Sequence, residues 1–273
     1  MAQPPPDRKP GNLRLRLITA LVLAPPVFAA IYFGSPWFDA VVALAGVLMS
    51  REWARICCEG SYTLSGWLLT AGLAGAMAAV IFGVPETAII LLAITALVLL
   101  AVGRLEHREA FYNLALGAIL LGLFAVSFLW IRDFPESGRA LMIWLVLAVW
   151  FTDTGGYFFG RAIGGAKLAP RISPNKTWAG LGGGVLLASI WSGFWLTAGG
   201  QHRLALTVAV GAGVAVLAQI GDLSVSAIKR RYGVKDASGL IPGHGGLLDR
   251  LDGMLLTAPV VAFVLLLSGR GWI

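Results

Sequence analysis

Long apolar runs dominate this chain and determine the class of fold that it can adopt. Nine runs can be placed at about 17–34, 36–50, 64–83, 86–102, 112–131, 139–160, 178–198, 204–222 and 253–268. A helix needs roughly 17–25 mostly apolar residues to cross a bilayer. Of the 273 residues, 58% are hydrophobic and only 13% are charged. We therefore predict an all-α polytopic membrane protein with about nine transmembrane helices, with eight or ten as alternatives. The short second run could instead be tilted, paired with the first as a hairpin, or re-entrant.

The distribution of basic residues predicts the orientation of these helices. If the N-terminus is cytoplasmic and there are nine spans, only four of the 21 lysines and arginines lie outside: Arg132, Arg139, Arg203 and Arg270. The positive-inside bias favours this topology. The net charge of +7 is then mostly topological, and because the basic residues are divided among short loops we expect no nucleic-acid binding. We also expect an uncleaved signal-anchor and no disulfide between Cys57 and Cys58, which we interpret as small apolar residues.

The two halves of the chain differ in their charged residues. After a cytoplasmic tail at 1–16, the helices of 17–135 are joined by short loops with scattered charges, to which we assign no function. The half from 136 to 273 has no glutamate after Glu136, and its acids lie in or beside segments predicted to be cytoplasmic: Asp153, Asp222, Asp236, Asp249 and Asp252. We therefore expect any catalytic site in this second half.

The segment 226–252 carries the clearest chemical signal. It has four basic residues (Lys229, Arg230, Arg231 and Lys235), then Gly-His-Gly-Gly at 243–246, then Asp249 and Asp252. Basic side chains and glycine-exposed amides suit phosphate oxygens, and spaced carboxylates suit a hard divalent cation. The segment therefore predicts a polyphosphate–metal site at a membrane surface, although Asp249 and Asp252 could merely favour a helix N-terminus.

Three further patterns support a site at this surface. One stripe of a helix would contain Asp153, Gly156, Tyr157 and Gly160. A close helix–helix contact would explain the spacing of Gly156, Gly160 and Gly164. It would not explain Asp153, because a carboxylate at membrane depth is costly and by default functional. Ser173, Lys176 and Thr177 can donate to an anion, and Thr177 could cap the next helix, although topology alone already demands a basic loop here. If the eighth helix continues past its apolar run, Asp222, Ser226 and Lys229 share a face.

These residues resemble the signature of the phosphatidate cytidylyltransferase (CDP-diglyceride synthase) family. The match comprises Ser226, Ile228, Lys229, Arg230, Lys235, Asp236, Ser238, Ile241, Pro242, His244, Gly245, Gly246, Asp249, Arg250 and Asp252. The segments 153–160 and 173–177 resemble other motifs of the family, whereas the first half of the chain agrees only in topology. Two positions depart from the family pattern: Ala179 stands where a glutamate is frequent, and Gly253 where serine is expected.

The resemblance implies the reaction of CTP with phosphatidate to give CDP-diacylglycerol and diphosphate, in phospholipid biosynthesis. It implies Mg²⁺, with a second cation such as K⁺ as an option, a homodimer, and the inner (cytoplasmic) membrane with the site facing the cytoplasm. We expect the metal at Asp222, Asp249 and Asp252, and the phosphates at Lys229, Arg230, Lys235 and His244. Substrate contacts are expected from Asp153, Tyr157, Ser173, Lys176, Thr177, Ser226, Asp236, Gly245, Gly246 and Arg250.

Two other functions fit parts of the sequence. A CTP-dependent polyprenol or dolichol kinase would share the requirement for CTP and a membrane, but it transfers the γ-phosphoryl group. An ion-coupled transporter could use Asp153 and Asp222 as intramembrane ion sites, although it would not need the long loop of basic, glycine and histidine residues. A structural scaffold would leave the clustered aspartates unexplained.

Overall fold

The apolar runs form a bundle of long helices. The computed structural model describes residues 13–106, 110–200 and 203–268. Within these ranges the helices are α1 (Leu13–Phe33), α2 (Trp37–Cys57), α3 (Leu64–Ile81), α4 (Pro85–Glu106), α5 (Phe111–Arg132), α6 (Gly138–Ala162), α7 (Trp178–Ala198), α8 (Leu204–Arg231), α9 (Leu248–Leu251) and α10 (Met254–Ser268). Each long helix corresponds to one predicted run, which confirms the expectation of a mainly helical polytopic membrane protein.

The long helices differ in how well they suit a bilayer. Six of the described helices, α3 to α8, are long and apolar enough to cross a membrane. The apolar part of α1 (Leu21–Phe33) and α10 are shorter. Helix α2 is 21 residues long but includes Asp39, Arg51 and Glu52. Its final turns are charged, with Arg51, Glu52 and Arg55.

One element departs from the all-α prediction. Strands β1 (Lys167–Ala169) and β2 (Ser173–Thr177) form a two-stranded antiparallel hairpin between α6 and α7, with Lys167 opposite Thr177. Pro174 disfavours helical backbone at the residue before it and so favours an extended Ser173. The hairpin places the basic segment on a defined backbone.

Helix α8 continues nine residues past its apolar run. It therefore includes Asp222, Ser226 and Lys229, and it ends with Lys229, Arg230 and Arg231 in its last turn. Cations near a helix C-terminus interact favourably with its partial negative charge. The Ser226 hydroxyl donates a hydrogen bond to Asp222 Oδ1 one turn away (3.1 Å), which confirms the predicted shared face for this pair.

Glycines bring α6 and α7 into backbone contact. A Cβ at Gly180 would lie 2.8 Å from the Gly156 carbonyl oxygen and 3.4 Å from the Gly160 Cα, distances that only small residues allow. The predicted contact through Gly156 and Gly160 is therefore confirmed. The inclusion of Gly164 was wrong: it lies beyond the end of α6 with φ +67° and no atom within 4 Å of its added Cβ.

Contacts between distant residues divide the bundle into two ends. At one end, Arg132 Nε donates to the Ile31 carbonyl (2.5 Å), and Arg139 lies over the Tyr32 ring (4.9 Å). At the other, Asn113 Nδ2 donates to the Tyr232 hydroxyl (2.8 Å). We call this second end the loop end, and the segment 232–247, between α8 and α9, the site loop. Arg132 and Arg139 thus lie on the opposite end from the polar loops, as the charge distribution predicts.

Candidate active site

Asp222 is the centre of a polar group at the loop end. Its carboxylate forms an ion pair with Lys176 Nζ from β2 and accepts the Ser226 hydroxyl from its own helix. The side chains of Lys176 and Asp222 are 22% and 26% exposed. The pair is therefore partly accessible to a ligand from outside the bundle.

Two further acids face Asp222 from other segments. Asp252, between α9 and α10, interacts electrostatically with Asp222 and Asp153, and Asp153 on α6 also interacts with Lys176 and Arg250. The pKa of Asp252 is raised to about 8, first because the surrounding protein desolvates its carboxylate, and second because Asp222 and Asp153 are negative neighbours. We call Asp153, Asp222 and Asp252 the acidic cluster.

A close backbone approach holds two members of the acidic cluster together. A Cβ at Gly221 would lie only 2.6 Å from the Asp252 carbonyl oxygen. Because Gly221 has no side chain, the backbone of α8 can approach the backbone of Asp252 closely. This contact lies one residue before Asp222. The Gly253 amide donates to Asp252 Oδ1 (2.9 Å), which orients the Asp252 carboxylate locally.

Asp249 is bound to protein groups instead of joining the acidic cluster. Its Oδ1 accepts from Lys229 Nζ (2.6 Å), and its Oδ2 accepts the amides of Ala237 (2.8 Å) and Gly246 (2.9 Å). The Lys229 and Asp249 side chains are only 7% and 6% exposed. Among the described residues, the predicted trio of Asp222, Asp249 and Asp252 does not form a three-acid metal-binding group. Lys229 pairs with Asp249 and also interacts electrostatically with Asp252.

Glu52 is a contributor from the first half that sequence reasoning missed. This α2 carboxylate is 5% exposed. Its Oε1 accepts from the Ser238 hydroxyl (2.5 Å) and the Leu247 amide (3.0 Å), and its Oε2 accepts from the Leu248 amide (2.7 Å). In the sequence Glu52 follows Arg51 at the end of an apolar run, so it resembles an ordinary solvated helix end.

The glycines of the Gly-His-Gly-Gly segment allow carboxylates to reach the backbone. Gly245 has φ +85°, and its added Cβ would lie 2.9 Å from Asp249 Oδ2. A Cβ at Gly246 would lie 2.8 Å from Glu52 Oε1. These close approaches explain both glycines through protein contacts. Next to them, His244 Nδ1 is buried and has no hydrogen-bond partner among the described residues.

Thr177 and Tyr157 have local partners. The Thr177 side chain accepts the Gly180 amide (3.0 Å) at the start of α7 and is buried, which confirms the predicted helix cap. Tyr157 is 60% exposed, and its hydroxyl accepts from Arg161 (3.2 Å). Of the predicted 153–160 stripe, Asp153 belongs to the acidic cluster.

The remaining predicted contacts surround the loop end. Arg230 donates to the carbonyls of Ile172 (3.2 Å) and Val234 (3.0 Å), and thereby ties the β-hairpin to the end of α8. Ser173 is half-buried at the start of β2, whereas three predicted contact residues are exposed: Lys235, Asp236 and Arg250. Of these three residues, Lys235 and Arg250 carry the positive charge that would attract an anion.

The two departures from the family pattern lie next to the site. Ala179 is in the first turn of α7. Its methyl side chain provides neither the charge nor the oxygen atoms of a glutamate. A Cβ at Gly253 would lie 3.3 Å from Val149 Cγ1. Serine at 253 would therefore need a small shift of Val149, which glycine avoids.

The acidic cluster suits a magnesium ion that binds together with phosphates. Among the described residues, no group of three His, Cys, Asp or Glu side chains forms a complete metal-binding set. Magnesium is usually held by one or two carboxylates, with phosphates and water completing its shell. Asp222 and Asp252 provide such a pair. Burial first, and the neighbouring Asp222 and Asp153 second, raise the pKa of Asp252, and a bound cation would stabilise its ionised form. Asp249 already accepts three hydrogen bonds, one of them from Lys229, which leaves little of its acceptor capacity for a cation.

Comparison with known proteins agrees with this geometry. Residues 14–268 match the model of the "Cytidylyltransferase family". A phosphatidate cytidylyltransferase of Brucella suis is 35% identical over 269 residues, covering 92% of each chain. One from Pseudomonas aeruginosa is 34% identical over 272 residues, covering 95% of this chain and 98% of the relative. With its helical bundle, its acidic cluster and these matches along nearly its whole length, the chain belongs to the cytidylyltransferase family.

Proposed function

We propose that this protein is a phosphatidate cytidylyltransferase, which converts CTP and phosphatidate to CDP-diacylglycerol and diphosphate. The observation that carries the proposal is the acidic cluster, which gathers Asp153, Asp222 and Asp252 from three segments at one end of an apolar bundle. A lipid phosphate at a membrane surface and a nucleotide from the adjacent water could both reach this place. The two full-length relatives described above bear the name of this activity.

The reaction requires two anions to approach in line. A phosphate oxygen of phosphatidate attacks the α-phosphorus of CTP, and the bond from that phosphorus to the bridging oxygen of the β-phosphate breaks, so that diphosphate leaves. A phosphomonoester is largely ionised near neutral pH, because its second pKa is about 6. No strong general base is therefore needed, and positioning and charge neutralisation provide most of the catalysis.

We propose that Asp222 and Asp252 hold Mg²⁺, with substrate phosphates and water completing its shell. The bound ion would supply neutralisation of the charge on the transferring phosphate. The second cation, such as K⁺, stays a prediction. Asp153 would add negative charge beside these ligands. For Asp249 we propose a positioning role in place of the predicted role as a metal ligand, because its carboxylate accepts hydrogen bonds from Lys229, Ala237 and Gly246.

The basic residues divide into two groups in this proposal. Lys176 neutralises Asp222 in the absence of a cation, and we propose that it turns to a phosphate oxygen when Mg²⁺ and CTP bind. Arg250 and Lys235 are exposed and would meet the phosphates directly, with His244 Nδ1 as a further donor or acceptor. Lys229 and Arg230 would act mainly by holding the loop and the hairpin in place.

We further propose nine membrane spans, a cytoplasmic N-terminus and a site that faces the cytoplasm from the inner membrane. The location of Arg132 and Arg139 opposite the loop end supports this topology, since basic residues favour the cytoplasmic side. On this topology the site is carried by 136–273, with Glu52 reaching it from the helices of 17–135. A homodimer and the absence of nucleic-acid binding stay predictions from the sequence.

Labelled CTP tests the proposed reaction. Purified protein is incubated with phosphatidate, Mg²⁺ and CTP labelled on either the α- or the γ-phosphate, and the lipids are then extracted. The transferase predicts α-label in the lipid and γ-label in diphosphate. Gamma-label in the lipid with α-label on CDP would instead identify a lipid kinase. Ion flux in reconstituted vesicles without any requirement for CTP would identify a transporter.

A further inference from the structure

We infer that Glu52 is a positioning residue that anchors the site loop from the first half of the chain. The inference deepens the proposed function and rests on it. Glu52 lies in α2, whereas all three groups that donate to it belong to the site loop or the start of α9: Ser238, Leu247 and Leu248. A single carboxylate therefore joins two parts of the loop to a helix almost 200 residues away in the sequence.

The environment of Glu52 shows that its contacts are specific. A carboxylate that is 5% exposed is costly unless hydrogen bonds compensate for its lost hydration. Three donors provide this compensation, and hydrogen bonds to an ionised acceptor are stronger than neutral ones. Gly246 leaves room for this carboxylate, since its added Cβ would lie within 2.9 Å of both Glu52 oxygens. The loop backbone and the Glu52 side chain are therefore fitted to each other.

The anchored residues immediately precede the functional acids. Leu247 and Leu248, whose amides bind Glu52, lie directly before Asp249 in the chain, and Asp252 follows one turn later. A displacement of these amides would move Asp249 away from Lys229 and Asp252 away from Asp222. Glu52 thus acts on the site through the backbone, without contact with the acidic cluster.

The other end of the site loop is held by the same helix. Trp53 Nε1 donates to the Asn113 carbonyl (2.8 Å), and Asn113 Nδ2 donates to the Tyr232 hydroxyl (2.8 Å) at the end of α8. Glu52 and its neighbour Trp53 therefore fix the last and the first residues of the loop, respectively. This pairing makes the end of α2 a clamp for the loop.

Kinetics of Glu52→Gln in purified protein tests the inference. The amide removes one acceptor oxygen and presents an N–H group to a backbone donor. We expect kcat to fall about 10- to 100-fold, as for residues that orient a metal site, the Mg²⁺ concentration for half-maximal activity to rise, and KM for CTP to change less than about threefold. Glu52→Asp keeps two acceptor oxygens and should recover part of the lost kcat. Glu86→Gln, an exposed acid at the start of α4, is the matched control and should behave as wild type.

Two results would overturn the inference: wild-type kcat in folded Glu52→Gln protein, or a lower melting temperature accompanied by normal kcat and Mg²⁺ dependence. If Glu52→Gln does not fold, Ser238→Ala removes one donor without burying an unpaired charge, and it should lower kcat about threefold. Unchanged kcat in Ser238→Ala would then count against the anchor. Hydrogen exchange of 236–248 gives a readout independent of activity: faster exchange in Glu52→Gln supports the anchor even if wild-type protein transfers no α-label to lipid, whereas equal exchange rejects it.

Discussion

Two sets of acids lie at the loop end of this protein, and they differ in what balances their charge. Glu52 and Asp249 each accept three hydrogen bonds from loop amides or side chains, and both are largely buried. The acidic cluster has fewer protein donors: Asp222 has Lys176 and Ser226, and Asp252 has the Gly253 amide. Protein donors compensate for the charge of Glu52 and Asp249, whereas the carboxylates of the acidic cluster still repel one another.

This difference separates structural from chemical roles among residues of the same type. A carboxylate whose oxygens are filled by amides stabilises a loop and has little capacity left for a ligand. Burial and negative neighbours both raise the pKa of Asp252, and a cation bound between such carboxylates would relieve their repulsion. We therefore expect substitutions in the two sets to differ most clearly in their effects on stability.

The largest effect is expected for Asp252→Asn. Loss of a metal-binding carboxylate should reduce turnover at least about 1000-fold, because it removes several kcal/mol of charge stabilisation. The melting temperature in detergent should stay equal or rise, since asparagine avoids the cost of burying a carboxyl group beside two acidic neighbours. Transfer of α-label to lipid and a thermal melt measure the two quantities. Asp133→Asn, an exposed acid at the opposite end, is the control; a strong fall in melting temperature for Asp252→Asn would contradict the contrast.

Asp249→Asn should impair both stability and activity. It leaves the Lys229 ammonium, which is 7% exposed, without its partner, and breaking a buried pair costs about 3–5 kcal/mol. We expect a clearly lower melting temperature and a roughly 100-fold loss of activity from the disordered loop. The double variant Lys229→Met with Asp249→Leu should regain stability but not activity. Wild-type stability in Asp249→Asn would place this residue with the acidic cluster.

Gly221→Ala tests the contact that brings Asp222 and Asp252 together. The new Cβ would lie 2.6 Å from a backbone oxygen, and such overpacking costs about 1–3 kcal/mol. We expect about a tenfold loss of activity, because α8 must move away from Asp252. Gly213→Ala lies in the same helix with no atom within 4 Å of its added Cβ and should retain full activity. Equal activity of the two variants would show that the spacing of the acids is not critical.

The smallest effect is expected for Gly246→Ala. Its Cβ meets the end of the Glu52 side chain and the Ala237 Cβ at 2.8 and 2.9 Å, and a side chain can yield more easily than backbone. We expect a threefold to tenfold fall in kcat, corresponding to about 1 kcal/mol. Gly239→Ala, in open space in the same loop, should have no effect on kcat in the same assay.

Much of the bundle could be predicted because apolar length determines where membrane helices lie. The runs at 178–198 and 204–222 predicted the starts of α7 and α8, and helical spacing predicted the contact between Asp222 and Ser226. Sequence patterns also singled out Asp153, Asp222 and Asp252, which the structure brings into electrostatic contact, whereas their role in metal binding stays a prediction. Spacing alone, however, suggested Asp249 and Asp252 as equivalent ligands, although the structure gives Asp249 three hydrogen-bond donors and Asp252 only the Gly253 amide among the described residues. Which donors surround a carboxylate depends on tertiary contacts that local periodicity does not encode.

Glu52 shows the same limit more strongly. Its partners Leu247 and Leu248 are 195 and 196 positions away, and its own neighbourhood in the sequence resembles a charged helix end. The hairpin of β1 and β2 was missed for a smaller reason: its strands of three and five residues are too short for a periodic pattern. Both cases concern polar residues, for which apolar patterning carries no information.

The clamp at the end of α2 has a consequence for how this protein can be divided. A cut between α5 and α6 would leave every member of the acidic cluster on the C-terminal fragment. That fragment would nevertheless lack Glu52, Trp53 and Asn113, which fix the site loop from the other side. The N-terminal helices are therefore an integral half of the enzyme as well as its membrane anchor, and activity should return only when both fragments are inserted into the same bilayer and reassociate.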